Sequence, residues 1–207
     1  MSAPGAPATH LTPAGTLSDL ARPRALPWAL AYDAALVVAG SLVVALSAQV
    51  AVPLPFTPVP VTAQPFAVLF VGAVLGARRG ALAMLAYLAE GALGAPVFAG
   101  GALGLAKLAG PTGGYLVGFV PAAAVCGALA ERGWDRRFAS TLLAMALGTA
   151  CLYACGLPWL ARFVGGDRVL ALGLAPFVVG DGLKIVLAAL ALPLGWRALA
   201  WLGRARG

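Results

Sequence analysis

Apolar residues in this chain do not alternate with polar ones; they come in long runs. Six stretches, about 28–50, 65–77, 80–93, 115–130, 138–160 and 169–194, are almost continuously hydrophobic, separated by segments rich in arginine, glycine or proline. A run of about 20 apolar residues crosses the hydrocarbon core of a bilayer as a helix. The second and third runs are shorter, which predicts a thin or invaginated bundle. The pattern therefore predicts an all-α membrane protein with six transmembrane helices in one bundle over 28–195. Composition agrees: 61% of the 207 residues are hydrophobic, 10% are charged, and the mean hydropathy is +0.93, outside the range of soluble domains. Residues 1–27, rich in proline, alanine and glycine, are expected to form a disordered cytoplasmic tail, and 196–207 a short basic one.

Charge fixes the expected orientation. The net charge is +7, but the basic residues sit in twos and threes between apolar runs, without interleaved aromatics; this predicts a lipid bilayer and not nucleic acid as the partner. Counting alternate connections, one side holds ten arginines, from Arg22 to Arg206, and the other only Lys107, Arg162 and Arg168. The arginine-rich side is expected to be cytoplasmic and to hold both termini, as an even number of spans requires. The proline segment 53–60, the glycine-rich connection 94–114 and the start of the last span then share the outer face. That connection is apolar and nearly uncharged, so it is expected to fold back over the bundle as a lid.

Candidate chemistry is sparse. Asp181 and Lys184 lie within the last run at three-residue spacing, on one helical face, and each charge costs about 2.5–3.5 kcal/mol in hydrocarbon. They either hold a ligand with hydrogen-bond donors and an anionic group, or neutralise one another. Tyr87 and Glu90, also three apart, either touch that ligand or let Glu90 reach water. Gln64 sits beside Pro65 at a helix start, where it serves the pocket or the first turn; Lys107 draws in an anion or is simply the solvated residue of its loop. Ala31, Ala35 and Ala39 make one face of the first span nearly flat, suited to close approach by another helix. Three cysteines in apolar runs are expected to be small packing residues, and the only histidine, His10, lies in the tail. With no phosphate-binding glycine loop, no serine elbow and no metal set, neither ATP hydrolysis nor intramembrane catalysis is expected, and any energy source must be external.

Four motifs in order carry a resemblance: Pro58-Val-Pro-Val-Thr-Ala-Gln64, Gly94-Ala-Pro-Val-Phe-Ala-Gly-Gly101, Gly110-Pro-Thr-Gly-Gly-Tyr115 and Gly180-Asp-Gly-Leu-Lys184. Over 28–194 the chain resembles the BioY family, the biotin-specific substrate-capture (S) components of energy-coupling-factor (ECF) vitamin transporters. The resemblance implies the six-helix S-component fold in a bacterial cytoplasmic membrane, with biotin as the transported substrate and no cofactor. It implies pocket roles for Asp181 and Lys184, and lid or lining roles for Gly100, Gly101, Thr112, Gly113 and Tyr115. It further implies a coupling transmembrane subunit, docked on Ala31, Ala35 and Ala39, and two cytoplasmic ATPase subunits. A standalone biotin carrier is the alternative, and a membrane-embedded enzyme a more distant one.

Overall fold

The computed structural model describes residues 15–204, so His10 lies outside the described residues. Eight α-helices appear in it: α1 (Leu26–Gln49), α2 (Gln64–Leu75), α3 (Ala77–Ala92), α4 (Leu105–Ala109), α5 (Gly113–Glu131), α6 (Phe138–Val164), α7 (Val169–Gly173) and α8 (Val178–Arg204). Helices α1, α5, α6 and α8 are long and apolar enough to cross a membrane, while α2 and α3 have 12 and 16 residues. This is an integral membrane protein. The six runs read from the sequence correspond to α1, α2, α3, α5, α6 and α8.

Helix α5 is central and packs against α2, α3 and α6, with the core formed by residues such as Val68, Met84, Ala123, Cys126 and Met145. Small residues permit that packing. A Cβ on Gly72 of α2 would stand 2.5 Å from the Ala123 carbonyl oxygen of α5, so only glycine fits the crossing.

Several boundaries differ from expectation, each for a local reason. Arg78 and Arg79 do not close the second run: α2 stops at Leu75, and Gly76 turns the chain with a φ of +88° into α3, which begins before the arginines. The last helix begins at Val178 and not at 169, because Pro176 cannot continue a helix and Leu174 has already left it (φ −121°, ψ −60°). Asp181 is therefore in the first turn of α8, closer to its end than the unbroken run implied. At its other end α8 continues to Arg204 without a break at 195.

The segment expected to be a structureless tail is built from Gly15 onward. Residues Leu17–Ala21 form a 3₁₀ turn, Thr16 and Ser18 are buried, and Asp19 pairs with Arg79. Arg79 also meets Asp33 at 3.1 Å, and Arg22 meets Asp33 at 2.7 Å, so this strap is fastened to α1 and α3 by a connected ion-pair network. At the opposite end, Ala51–Val52 (β1) and Val61–Thr62 (β2) pair antiparallel and close the proline segment into a hairpin-like loop. The pairing is short because prolines at 53, 55, 58 and 60 have no N–H to extend it.

Candidate functional site

A cavity opens at the strapless end of the bundle, where the proline loop, the 94–114 connection and the start of α8 meet. It is lined by apolar surfaces from Val59, Pro60, Phe98, Phe119, Leu152 and Phe177. Polar groups enter at Gln64, Lys107, Thr112, Tyr115, Tyr153, Asp181 and Lys184. Few polar groups converging on an apolar concavity is the usual make-up of a small-molecule site.

Asp181 is its hub. Asp181 is 7% exposed; Lys184 Nζ donates to its Oδ1 at 2.8 Å, and the Tyr153 hydroxyl donates to its Oδ2 at 2.6 Å. A carboxylate has about four acceptor directions, so two bonds leave capacity for N–H groups of a ligand. Lys184 likewise keeps donors beyond the one given to Asp181. Tyr115 stands edge-on to Tyr153 at 6.2 Å, and its hydroxyl donates to the Gly173 carbonyl at 2.9 Å, holding the break before α8 against α5.

Thr112 supplies a second polar point. Its hydroxyl is buried, lines the cavity and has no hydrogen-bond partner among the described residues. A buried hydroxyl left unpaired costs about 1–3 kcal/mol, so its position favours a ligand able to complete it. The 94–114 connection that carries it is ordered and not irregular throughout. Phe98 is fully buried against Tyr87, α4 forms a short helix, and Trp159 Nε1 donates to the Gly110 carbonyl at 2.9 Å.

The sequence-derived residues divide. Gln64, Lys107, Thr112, Tyr115, Asp181 and Lys184 converge on the cavity. Tyr87 stands behind it, accepting from Gln64 Nε2 at 2.8 Å and donating to the Val97 carbonyl at 3.2 Å, so it orients Gln64 and does not line the wall. Glu90 turns toward α1, where the Ser41 hydroxyl donates to it at 2.7 Å; one helical step of three residues put it on a different contact from Tyr87. Gly100 borders a neighbouring depression of ≈ 290 Å³ formed with the proline loop, which shares Pro60, Ala99 and Lys107 with the cavity. Gly101 lines neither. Gly113 acts by close approach: a Cβ there would stand 1.7 Å from the Leu108 carbonyl oxygen, so it lets α4 fold onto the start of α5. Ala31, Ala35 and Ala39 are exposed along one side of α1.

Sequence reasoning missed Tyr153 and the aromatic walls Phe98, Phe119 and Phe177. Tyr153 lies mid-run in α6 with no polar neighbour to mark it. Its distance in sequence from Asp181 hid the pair.

Comparison with known proteins gives one consistent result. Residues 18–201 match the family described as the BioY family. The "Biotin transporter BioY" of Rhizobium etli is 43% identical over 158 residues, covering 72% of this chain and 84% of that protein. The protein of the same name from Rhodobacter capsulatus is 41% identical over 165 residues, covering 72% and 85%. Among solved structures, the S-component for biotin from an ECF-type ABC transporter superposes with a TM-score of 0.72 at 22% identity, covering 79% of this chain and 90% of that one, and shares its fold.

Proposed function

This chain belongs to the BioY family, and from that premise we propose that it is the biotin-binding S component of a vitamin transporter, with the cavity around Asp181 as its biotin pocket. The observation that carries the reading is the polar set aimed into an apolar cavity: a Tyr153–Asp181–Lys184 cluster with spare capacity, facing the unpartnered hydroxyl of Thr112.

Biotin fits this chemistry. Its ureido ring has two N–H donors and a carbonyl, its sulfur-containing ring is apolar, and its tail ends in a carboxylate. Asp181 accepts a ureido N–H and Lys184 donates to the ureido oxygen. The apolar walls enclose the ring, and Lys107 at the rim attracts the carboxylate. Gln64, Thr112 and Tyr115 complete the polar lining. Gly113 shapes the lid, Gly100 and Gly101 serve as its turns, and Tyr87 acts through Gln64.

Helices α1, α5, α6 and α8, together with the shorter α2 and α3, cross the bilayer of a bacterial cytoplasmic membrane in this reading. The arginine-rich end with both termini lies inside, and the cavity faces outward. A coupling transmembrane subunit docks on the exposed Ala31, Ala35 and Ala39 of α1, and two ATPase subunits bound to it supply the energy. Purified protein should bind biotin without partners, with desthiobiotin competing and unrelated vitamins not; a folded sample that binds none of them refutes the pocket. Ala35→Trp should block co-purification with the coupling subunit while leaving biotin affinity unchanged. Equal recovery of the complex would remove α1 as the docking face.

A further inference from the structure

The inner end of α8 carries a feature that biotin capture does not use. The turn between α5 and α6 is clasped to it: Trp196 Nε1 donates to Asp135 Oδ2 at 2.6 Å, and the Arg136 guanidinium lies 4.7 Å from the Trp196 ring centroid. This clasp seats the turn that carries Arg136 and Arg137 against the stretch of α8 that carries Arg197. Two carboxylates lie beside this turn, and each has one oxygen engaged, while Asp135 Oδ1 is buried with no hydrogen-bond partner among the described residues. Asp135 is 1% exposed under Trp196, and Glu131 accepts the Ala77 N–H at 2.8 Å, capping α3. Arg137 and Arg197 have exposed side chains.

Depth and shape add to the charge. Arg197 is sixteen residues beyond Asp181 on the same helix, about 24 Å along its axis, which puts it at the opposite interface of a bilayer core of about 30 Å. Toward the core, Leu194 and Leu190 share its face at three- and seven-residue spacing and are 56% and 49% exposed. Beyond it, Trp201 shares that face at four-residue spacing and is 67% exposed, at the depth where tryptophan anchors to headgroups. The stripe thus offers an acyl-chain surface, a cation at phosphate depth and an interfacial aromatic, in that order.

We propose that the corner formed by the α5–α6 turn and the inner end of α8 binds the headgroup of an anionic phospholipid of the inner leaflet, its phosphate held by Arg137 and Arg197 and one acyl chain laid along Leu194 and Leu190. The proposal rests on the inward orientation of this end and is independent of what the outer cavity binds.

Native mass spectrometry of the full chain, equilibrated with equimolar phosphatidylglycerol and phosphatidylcholine of identical acyl chains, tests it. Each arginine near an anionic headgroup is worth about fivefold in binding, so the wild type should retain phosphatidylglycerol over phosphatidylcholine by at least about fivefold. The Arg137→Gln/Arg197→Gln double variant should retain the two lipids about equally. Arg24→Gln/Arg78→Gln, altering exposed arginines elsewhere on the same end, should keep the preference. No preference in the wild type, or equal loss in both double variants, overturns the site in favour of unspecific annular or diffuse electrostatic contact. A double variant that keeps its lipid preference but no longer recovers the coupling complex overturns it in favour of a protein partner. Should the Arg137/Arg197 variant not fold, salt decides: the wild-type preference must fall as ionic strength rises, and a preference that survives high salt refutes the assignment.

Discussion

Two ends of one bundle use the same chemistry for opposite purposes. At the strap end, Asp19 and Asp33 are bound to Arg79 and Arg22 in a network whose members stay partly exposed, and its effect is to fasten the N-terminal strap to α1 and α3. At the cavity end, Asp181 is bound to Lys184 and Tyr153, with walls of phenylalanine, leucine and valine around them. An exposed network is screened by water and contributes little per pair. A buried pair is costly to assemble, and breaking it leaves an uncompensated charge. The contrast teaches that an acid–base pair in a membrane protein is read by what it faces: another segment of chain, or open volume.

Substitutions sharpen the contrast. The largest effect is expected at Asp181→Ala, which should weaken biotin binding at least about tenfold with the fold retained, whereas Asp33→Ala should leave affinity unchanged; titration of both variants compares the ends directly. Tyr153→Phe removes one of the two bonds that orient Asp181 and should weaken binding about three- to tenfold, less than loss of the carboxylate itself because Lys184 still holds Oδ1. Lys107→Gln should cost about threefold or less, since a half-exposed rim cation acts through a screened attraction; salt should reduce the wild-type affinity toward that of the variant.

The smallest effect on affinity belongs to the strap. Burial pushes the Asp19 carboxyl up, but the Thr16 N–H and the Arg79 guanidinium outweigh it and hold it below its ordinary 3.8. A lowered carboxyl stabilises the fold above that ordinary value, and the contribution fades as pH falls through the lowered one. Strap protection in hydrogen exchange should thus be complete above about pH 4 and decline below it, after correction for intrinsic rates. Asp19→Asn should weaken this pH dependence without changing biotin affinity, the remainder coming from Asp33, which Arg22 and Arg79 also bind.

The sequence revealed the membrane class, the six apolar runs and the pairing of Asp181 with Lys184, because hydrocarbon penalises charge and rewards uninterrupted apolar length. What it hid came from tertiary contacts and single-residue breaks. Pro176 was visible but lay inside a run whose hydropathy was continuous, so the start of α8 was placed too early. Gly76 reads as one more small residue until its φ of +88° turns α2 into α3. Residues 15–21 look like tail because the partner of Asp19, Arg79, lies far along the chain. Glu90 shows the limit of spacing arguments: near Tyr87 in sequence, it serves α1 through Ser41 while Tyr87 serves the cavity wall through Gln64.

Calorimetric titration of biotin into the purified chain, without partners and with Asp181→Ala run alongside, tests the central claim most directly. The account predicts saturable binding by the wild type and an affinity at least about tenfold weaker in the variant. No binding by folded wild-type protein, or equal affinity in the two, would contradict it.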